Sequence, residues 1–137
     1  MKNVIEVVVA DKTLATLMKG FKAVQIEAEL NQKGPYTLFA PTDLAFQNLP
    51  AGELAELMKP ENKVKLKETL DSHIVLGKNN YEDLVNGQTL KSINGKNLFV
   101  KIKDGVISIN GSNIQRRDMH ASNGIVHSLD KVIEPTN

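Results

Sequence analysis

Thr37-Leu38-Phe39-Ala40-Pro41-Thr42-Asp43-Leu44-Ala45-Phe46 is the stretch on which the reading of this chain turns. It compresses a buried strand, a hard turn and a helix start into a few residues. Tyr36 to Ala40 is an apolar run, bounded by Gly34-Pro35 before it and Pro41 after it. Such a run suits a strand buried on both faces. Pro41 has no N–H to give to a ladder, so the strand is expected to stop there. Thr42 is placed as an N-cap, its hydroxyl available to an otherwise unpaired helix N–H. Asp43 falls in the first turn, where negative charge favours the helix dipole. Leu44, Ala45 and Phe46 begin an apolar face. An anion site or nucleophile elbow at this junction would need a Gly-rich loop for close backbone approach, and none is present. The junction therefore reads as structural.

The same stretch resembles the first signature of the fasciclin-type domain, Thr-(apolar)-Phe-Ala-Pro-Thr-(Asp/Asn)-x-Ala-Phe. A second signature of that family, an Asn-Gly-(apolar)-(apolar)-His segment leading into an apolar strand, is similar to Asn123-Gly124-Ile125-Val126-His127-Ser128-Leu129-Asp130-Lys131-Val132-Ile133-Glu134-Pro135. Between them the family carries a Tyr-His helix end, resembled by Ser72-His73-Ile74-Val75-Leu76-Gly77, with Ser72 for the aromatic residue and Leu76 for the usual proline. The resemblance covers essentially the whole chain and implies one fasciclin-like domain over residues 1–137. It implies an α+β fold, with N-terminal helices packed on a mostly antiparallel β wedge or sandwich of about seven strands. It gives Thr37, Phe39, Ala40, Pro41, Thr42, Asp43, Phe46, His73, Asn123, Gly124 and His127 structural roles.

Composition bounds the alternatives. The chain has 137 residues, long enough to bury a real core, with 41% hydrophobic residues. Lys+Arg is 17 against Asp+Glu 16, a balance that argues against nucleic acid or anionic membrane as the main partner. Aromatic residues are 4%, with no Trp, which leaves few rings for a stacking platform. With no cysteine, a disulfide framework, thiolate metal site or Cys nucleophile is ruled out. The opening Met1 to Glu6 does not read as a signal peptide, because Glu6 interrupts the apolar run. No segment reaches membrane-spanning length.

Along the chain, Val4 to Ala10 is rich in β-branched residues, which by propensity favour strand. Val4, Ile5 and Val8 nevertheless share a helical face, and the resemblance implies a short helix. Asp11 is a good N-cap for the next helix, whose Leu14, Leu17, Met18 and Phe21 should face the core, with Gly20 as a weak spot. Ile26 to Leu30 reads as another short helix, ended by Asn31-Gln32-Lys33-Gly34-Pro35. Glu53 to Met58 is a short helical segment stopped before Pro60. Glu61 to Leu76 is the most helix-like segment, with Leu66, Leu70, His73 and Ile74 on one face and Gly77 as C-cap. Beyond Gly77 the period changes. Asn-Gly recurs at 86–87, 94–95, 110–111 and 123–124, each a tight-turn signal, and Asp104-Gly105 separates two alternating runs. The second half is thus predicted to be mostly antiparallel sheet.

The chain's three histidines, His73, His120 and His127, are the candidates for catalysis or metal binding. Zinc needs three or four converging ligands, and no pair here has the i, i+4 helical spacing of a metalloprotease. Ser128 or Ser122, His127 and Asp130 make a triad on paper. Adjacent strand residues, however, point to opposite faces, and no oxyanion loop is recognisable. His73 and His127 are therefore expected to be core histidines bonded to backbone.

The binding candidates are Arg116, Arg117, Asp118, Met119 and His120. In some animal fasciclin domains the residues before the Asn-Gly turn form an integrin-recognition patch, Glu-Pro-Asp-Ile-Met. Asp118 matches it in kind and Met119 is similar to the Ile, while Arg116 and Arg117 reverse the charge of Glu-Pro. A charged, mobile segment at a hairpin edge suits recognition, and equally suits a solvated edge that blocks strand pairing. The resemblance implies a non-catalytic module for cell-surface or extracellular-matrix attachment. Its partner would be a protein or glycan, with no cofactor and no metal. The protein would be a monomer from a bacterium or archaeon, placed in the periplasm, at the cell surface or outside the cell. The rival expectation is a His-based hydrolase or a small-ligand or metal-binding protein.

Overall fold

The computed structural model describes residues 3–26, 30, 34–50 and 52–133. The expected helix at Ile26 to Leu30 and its end at Asn31-Gln32-Lys33 lie largely outside the described residues, as do Met1, Lys2, Ala51 and Glu134-Pro135. Helices come first: α1 (Val4–Ala10), a 3-10 turn at Lys12–Leu14, then α2 (Ala15–Val24). Strand β1 (Tyr36–Pro41) leads into α3 (Asp43–Gln47), α4 (Glu53–Leu57) and α5 (Lys63–Asp71). Seven further strands follow: β2 (Ile74–Leu76), β3 (Thr89–Lys91), β4 (Asn97–Lys103), β5 (Val106–Ile109), β6 (Ser112–Asn113), β7 (Met119–Ala121) and β8 (Gly124–Leu129). The eight strands among the described residues, against about seven expected, form two four-stranded sheets ordered β2-β1-β8-β7 and β3-β4-β5-β6.

The architecture is three layers: helices, first sheet, second sheet. Side chains alternate across a strand, and β1 uses both faces. Leu38 and Ala40 join the helix-side core with Val4, Leu17, Phe21 and Leu70, whereas Phe39 joins the core between the sheets with Leu98, Ile109 and Leu129. The expectation that this strand is buried on both sides is met from Thr37 to Pro41.

β1 stops at Pro41, as the proline predicts. Pro41 is its last residue, opposite Leu129, and the next N–H, from Thr42, donates to the Leu129 carbonyl at 3.1 Å. A terminal position spares proline the donation it cannot make. The helix expected to run to Leu76 ends at Asp71, and Ile74–Leu76 is an antiparallel partner of β1, with Leu38 opposite Ile74. Leu66, Leu70 and Ile74 are all buried, so their helical spacing is compatible with two elements facing one core. Gly77 accordingly caps no helix; its N–H donates to the Pro35 carbonyl at 2.9 Å. Leu44 is exposed, so the apolar face of α3 is Ala45 and Phe46.

The capping chemistry is as the residues suggest. Thr42 Oγ1 accepts from the Ala45 N–H at 3.3 Å, and Asp11 accepts from the Thr13 N–H at 2.9 Å. Asp43 does more than favour its own helix. Its Oδ1 accepts from the Thr16 N–H at 2.8 Å, capping the start of α2, which has no side-chain cap of its own. Gly20 is where α2 and α5 approach, with Leu70 in contact range of any added Cβ.

Candidate functional site

The two buried histidines are held by backbone. His73 lies in the turn between α5 and β2, fully buried. Its Nε2 accepts from the Ile133 N–H at 2.8 Å, so Nδ1 carries the proton and donates to the Thr69 carbonyl at 2.7 Å. Burial pulls its pKa from the ordinary 6.5 down to about 4, opposed by the Thr69 carbonyl. His127 lies in β8 and stacks on Phe39, with ring centroids 5.7 Å apart. Its Nδ1 accepts from the Asp118 N–H at 3.2 Å, and Nε2 donates to the Asn79 carbonyl at 2.8 Å. Burial lowers its pKa as well. The Asn79 carbonyl and the Asp118 carboxylate pull it back up, and His120 adds to the lowering.

Among the described residues, no catalytic constellation assembles on these rings. Ser128 Oγ accepts from the Arg116 N–H at 2.8 Å, and Asp130 Oδ1 accepts from the Asn113 N–H at 2.8 Å, so both serve chain geometry. Among the described residues, no three His, Asp or Glu side chains are placed to hold a metal ion.

The fourth Asn-Gly pair is not the positive-φ turn that its sequence signals. The first three place their glycines at φ +84° or +85°, but Asn123-Gly124 opens β8 with neither residue in that region. Asn123 is buried, its Oδ1 accepting from the Val4 N–H at 2.9 Å and its Nδ2 donating to the Leu30 carbonyl at 2.6 Å. Gly124 lies against β1 so closely that any Cβ would collide with the Tyr36 carbonyl oxygen. The pair ties the N-terminal helices to the first sheet.

The candidate binding segment runs beside this strand and is anchored. The Gln115 N–H donates to the Ser128 carbonyl and the Ser128 N–H to the Arg116 carbonyl, both at 2.8 Å. Asp118 is half-buried at φ +55°, with Oδ1 accepting from the Tyr81 N–H at 2.9 Å. That bond ties the loop to the backbone at Tyr81. Met119, half-buried, and His120, exposed, begin β7 opposite Val126 and Ile125. Arg116 and Arg117 are exposed. Arg117 lies 4.3 Å from the Tyr81 ring centroid. Arg116 reaches back to Asp11 Oδ2 at 3.0 Å, across a surface groove of about 480 Å³ whose apolar wall is Val7, Ala10 and Met119. Sequence reasoning missed that the N-terminal turn and this segment line one site, because residues 7–13 and 116–119 meet only through the fold.

Residues 12–135 match the fasciclin domain. This chain belongs to the fasciclin-domain family. Protein sll1483 of Synechocystis is 39% identical to this fasciclin domain over 133 residues, covering 97% of it and 73% of the relative. Transforming growth factor-beta-induced protein ig-h3 of Oryctolagus cuniculus is 33% identical over 138 residues, but the match spans only 19% of that longer protein. Among solved structures, a FAS1 domain pair from the insect cell adhesion molecule fasciclin I superposes with a TM-score of 0.86 at 21% identity, over 96% of this chain and 50% of that one. That likeness shows the fold, an α+β arrangement of helices and two mostly antiparallel sheets. Among the described residues, no helix is long and apolar enough to cross a membrane.

Proposed function

We propose that residues 1–137 act as one fasciclin domain that binds and does not catalyse. It attaches, as a monomer in the periplasm, at a bacterial surface or outside the cell, to a cell-surface or matrix protein or glycan. The observation that carries this reading is the segment at Arg116 to His120. Its backbone is fixed by Ser128, His127 and Tyr81 while Arg116, Arg117 and His120 remain exposed. A rigid loop with charged side chains at its surface loses little freedom on association. The class of function draws support from the insect relative, which is a cell adhesion molecule. The non-catalytic reading draws support from His73 and His127, whose ring nitrogens are bonded to backbone.

The test is attachment of purified protein to cells and to matrix-coated surfaces. Arg116→Ala/Arg117→Ala/His120→Ala should reduce attachment while costing about 1 kcal/mol of stability, since Arg116 is the exposed end of its pair with Asp11, and the largely buried Asp11 carboxylate keeps the Thr13 N–H and hydroxyl. Asp118 is left in place because it holds the loop. Equal attachment by wild type and variant would move the contact away from this segment.

A further inference from the structure

The end of α1 is flanked by two grooves that share Asp11 and Lys12. The first is the groove beneath Arg116. The second, about 240 Å³, is walled by Val8, Val9 and Met18 and bordered by Lys12, Lys19 and Lys22. Together they present Lys12, Lys19 and Lys22, with Arg116 paired to Asp11, around apolar walls. The chain as a whole carries a net charge of only +1, so this face is locally far more basic than the molecule. Among the described residues, the one acid lining it, Asp11, is already engaged. Asp11 Oδ1 takes the Thr13 N–H and hydroxyl, and Oδ2 takes Arg116. Glu6, the nearest acid along α1, turns back to the Asn3 N–H at 3.1 Å, and Asp43 is committed to Thr16. Lys12, Lys19 and Lys22 are all exposed.

We propose that the two grooves form one docking surface for an acidic segment of a partner protein. Its leucine-like side chains would enter the two grooves, and its Asp or Glu side chains would lie against Lys12, Lys19, Lys22 and Arg116. Charge complementarity selects the acidic partner. The apolar walls select a peptide over a sulfated glycan or nucleic acid, which would use the cations and leave the walls uncovered. Among the described residues, no aromatic side chain lines either groove to stack a base or a sugar. This inference rests on the binding reading only in requiring a protein partner, and it names that partner's chemistry.

The test is fluorescence anisotropy with a fluorescein-labelled dodecapeptide, Glu-Leu-Glu-Glu-Leu-Leu repeated twice. Wild type should bind it saturably, more weakly as salt rises. Lys12→Glu/Lys19→Glu/Lys22→Glu should weaken binding by about tenfold or more, whereas Lys91→Glu/Lys101→Glu/Lys103→Glu on the second sheet should change it by less than about twofold. Val9→Asp, a single exposed substitution, should weaken it several-fold and guards against misfolding of the triple variant. Replacing every leucine of the peptide by serine should cost about tenfold. No saturable binding, equal losses in both triple variants, an equally tight serine peptide, or binding of heparin without the peptide would each overturn the proposal. Cell attachment measured in parallel separates the two readings. Attachment that depends on Arg116, Arg117 and His120 without peptide binding would sink the docking surface alone. Peptide binding without attachment would sink the adhesive reading alone.

Discussion

Acidification should weaken this fold in a way that traces to a single imidazole. His73 is neutral because both its nitrogens are committed, one as donor to Thr69 and one as acceptor from Ile133. Adding a proton at Nε2 would replace the acceptor that Ile133 needs and place a charge in a fully buried site. The folded pKa is about 4 against 6.5 for the free side chain. Below pH 6.5 the unfolded chain takes up a proton that the folded chain refuses. Stability therefore falls as pH drops from 6.5 to 4 and this contribution is constant below that. The displacement corresponds to about 3 kcal/mol in full, of which about 1 kcal/mol is lost by pH 5.5 and about 2 to 3 kcal/mol by pH 4.5. That is a large share of a typical domain's stability. Carboxylates titrate over part of the same range, so the quantity to measure is the difference between wild type and His73→Gln. Glutamine keeps an acceptor for Ile133 and does not titrate. Urea denaturation should show His73→Gln less stable at pH 7.5 by about 1 to 3 kcal/mol, and His73→Ala by about 3 kcal/mol or more. The wild-type advantage over His73→Gln should shrink steadily toward pH 4.5. Identical pH slopes for the two proteins, or an NMR titration of His73 near 6.5 in the folded state, would refute the reasoning.

Thr42→Ala removes the acceptor for the Ala45 N–H and should cost about 1 kcal/mol in chemical denaturation without altering the circular dichroism of the fold. Gly124→Ala forces a Cβ into the Tyr36 carbonyl and should cost about 4 kcal/mol or more, seen as loss of a cooperative unfolding transition. Full stability in that variant would show that β1 and β8 can separate locally. Asp118→Ala frees the Tyr81 N–H and should cost about 1 to 2 kcal/mol. It should also raise amide exchange in residues 116–120, whereas Asp118→Asn, which keeps an oxygen acceptor, should recover most of the protection.

The parts of the fold that could be read from sequence are those governed by neighbours along the chain. The strand at Tyr36 to Ala40, the Thr42 cap and the Asp104-Gly105 hairpin depend on chemistry within a few residues, and the structure has all three. Ile74–Leu76 was hidden because Leu66, Leu70 and Ile74 keep a helical interval across a change of element. Pairing with distant chain, with β1 above all, turns that stretch into strand. Asn123-Gly124 carries the usual hairpin signal, but its glycine answers to the backbone of β1, which no local pattern reveals. The candidate site was half legible. The segment at 116–120 stands out by its charge. That Asp118 ties the loop depends on Tyr81, which belongs to another part of the chain. That Lys12, Lys19 and Lys22 border grooves next to Arg116 depends on the fold bringing Arg116 to Asp11, 105 positions away in sequence.

The parallel pairing of β1 with β8 governs how the protein can be made. Every residue of β1 is partnered 88 positions later, Tyr36 with Gly124 through Pro41 with Leu129. As the chain leaves a ribosome, β1 and the helices around it emerge long before the strand that completes their sheet. Until β8 arrives, one edge of β1 presents unpaired backbone and an apolar surface to whatever is nearby. Closure is a late, long-range event, and folding should be slow for a chain of this length. Truncation ahead of Gly124 would remove a central strand of the first sheet and strip Val126 from one core and Leu129 from the other.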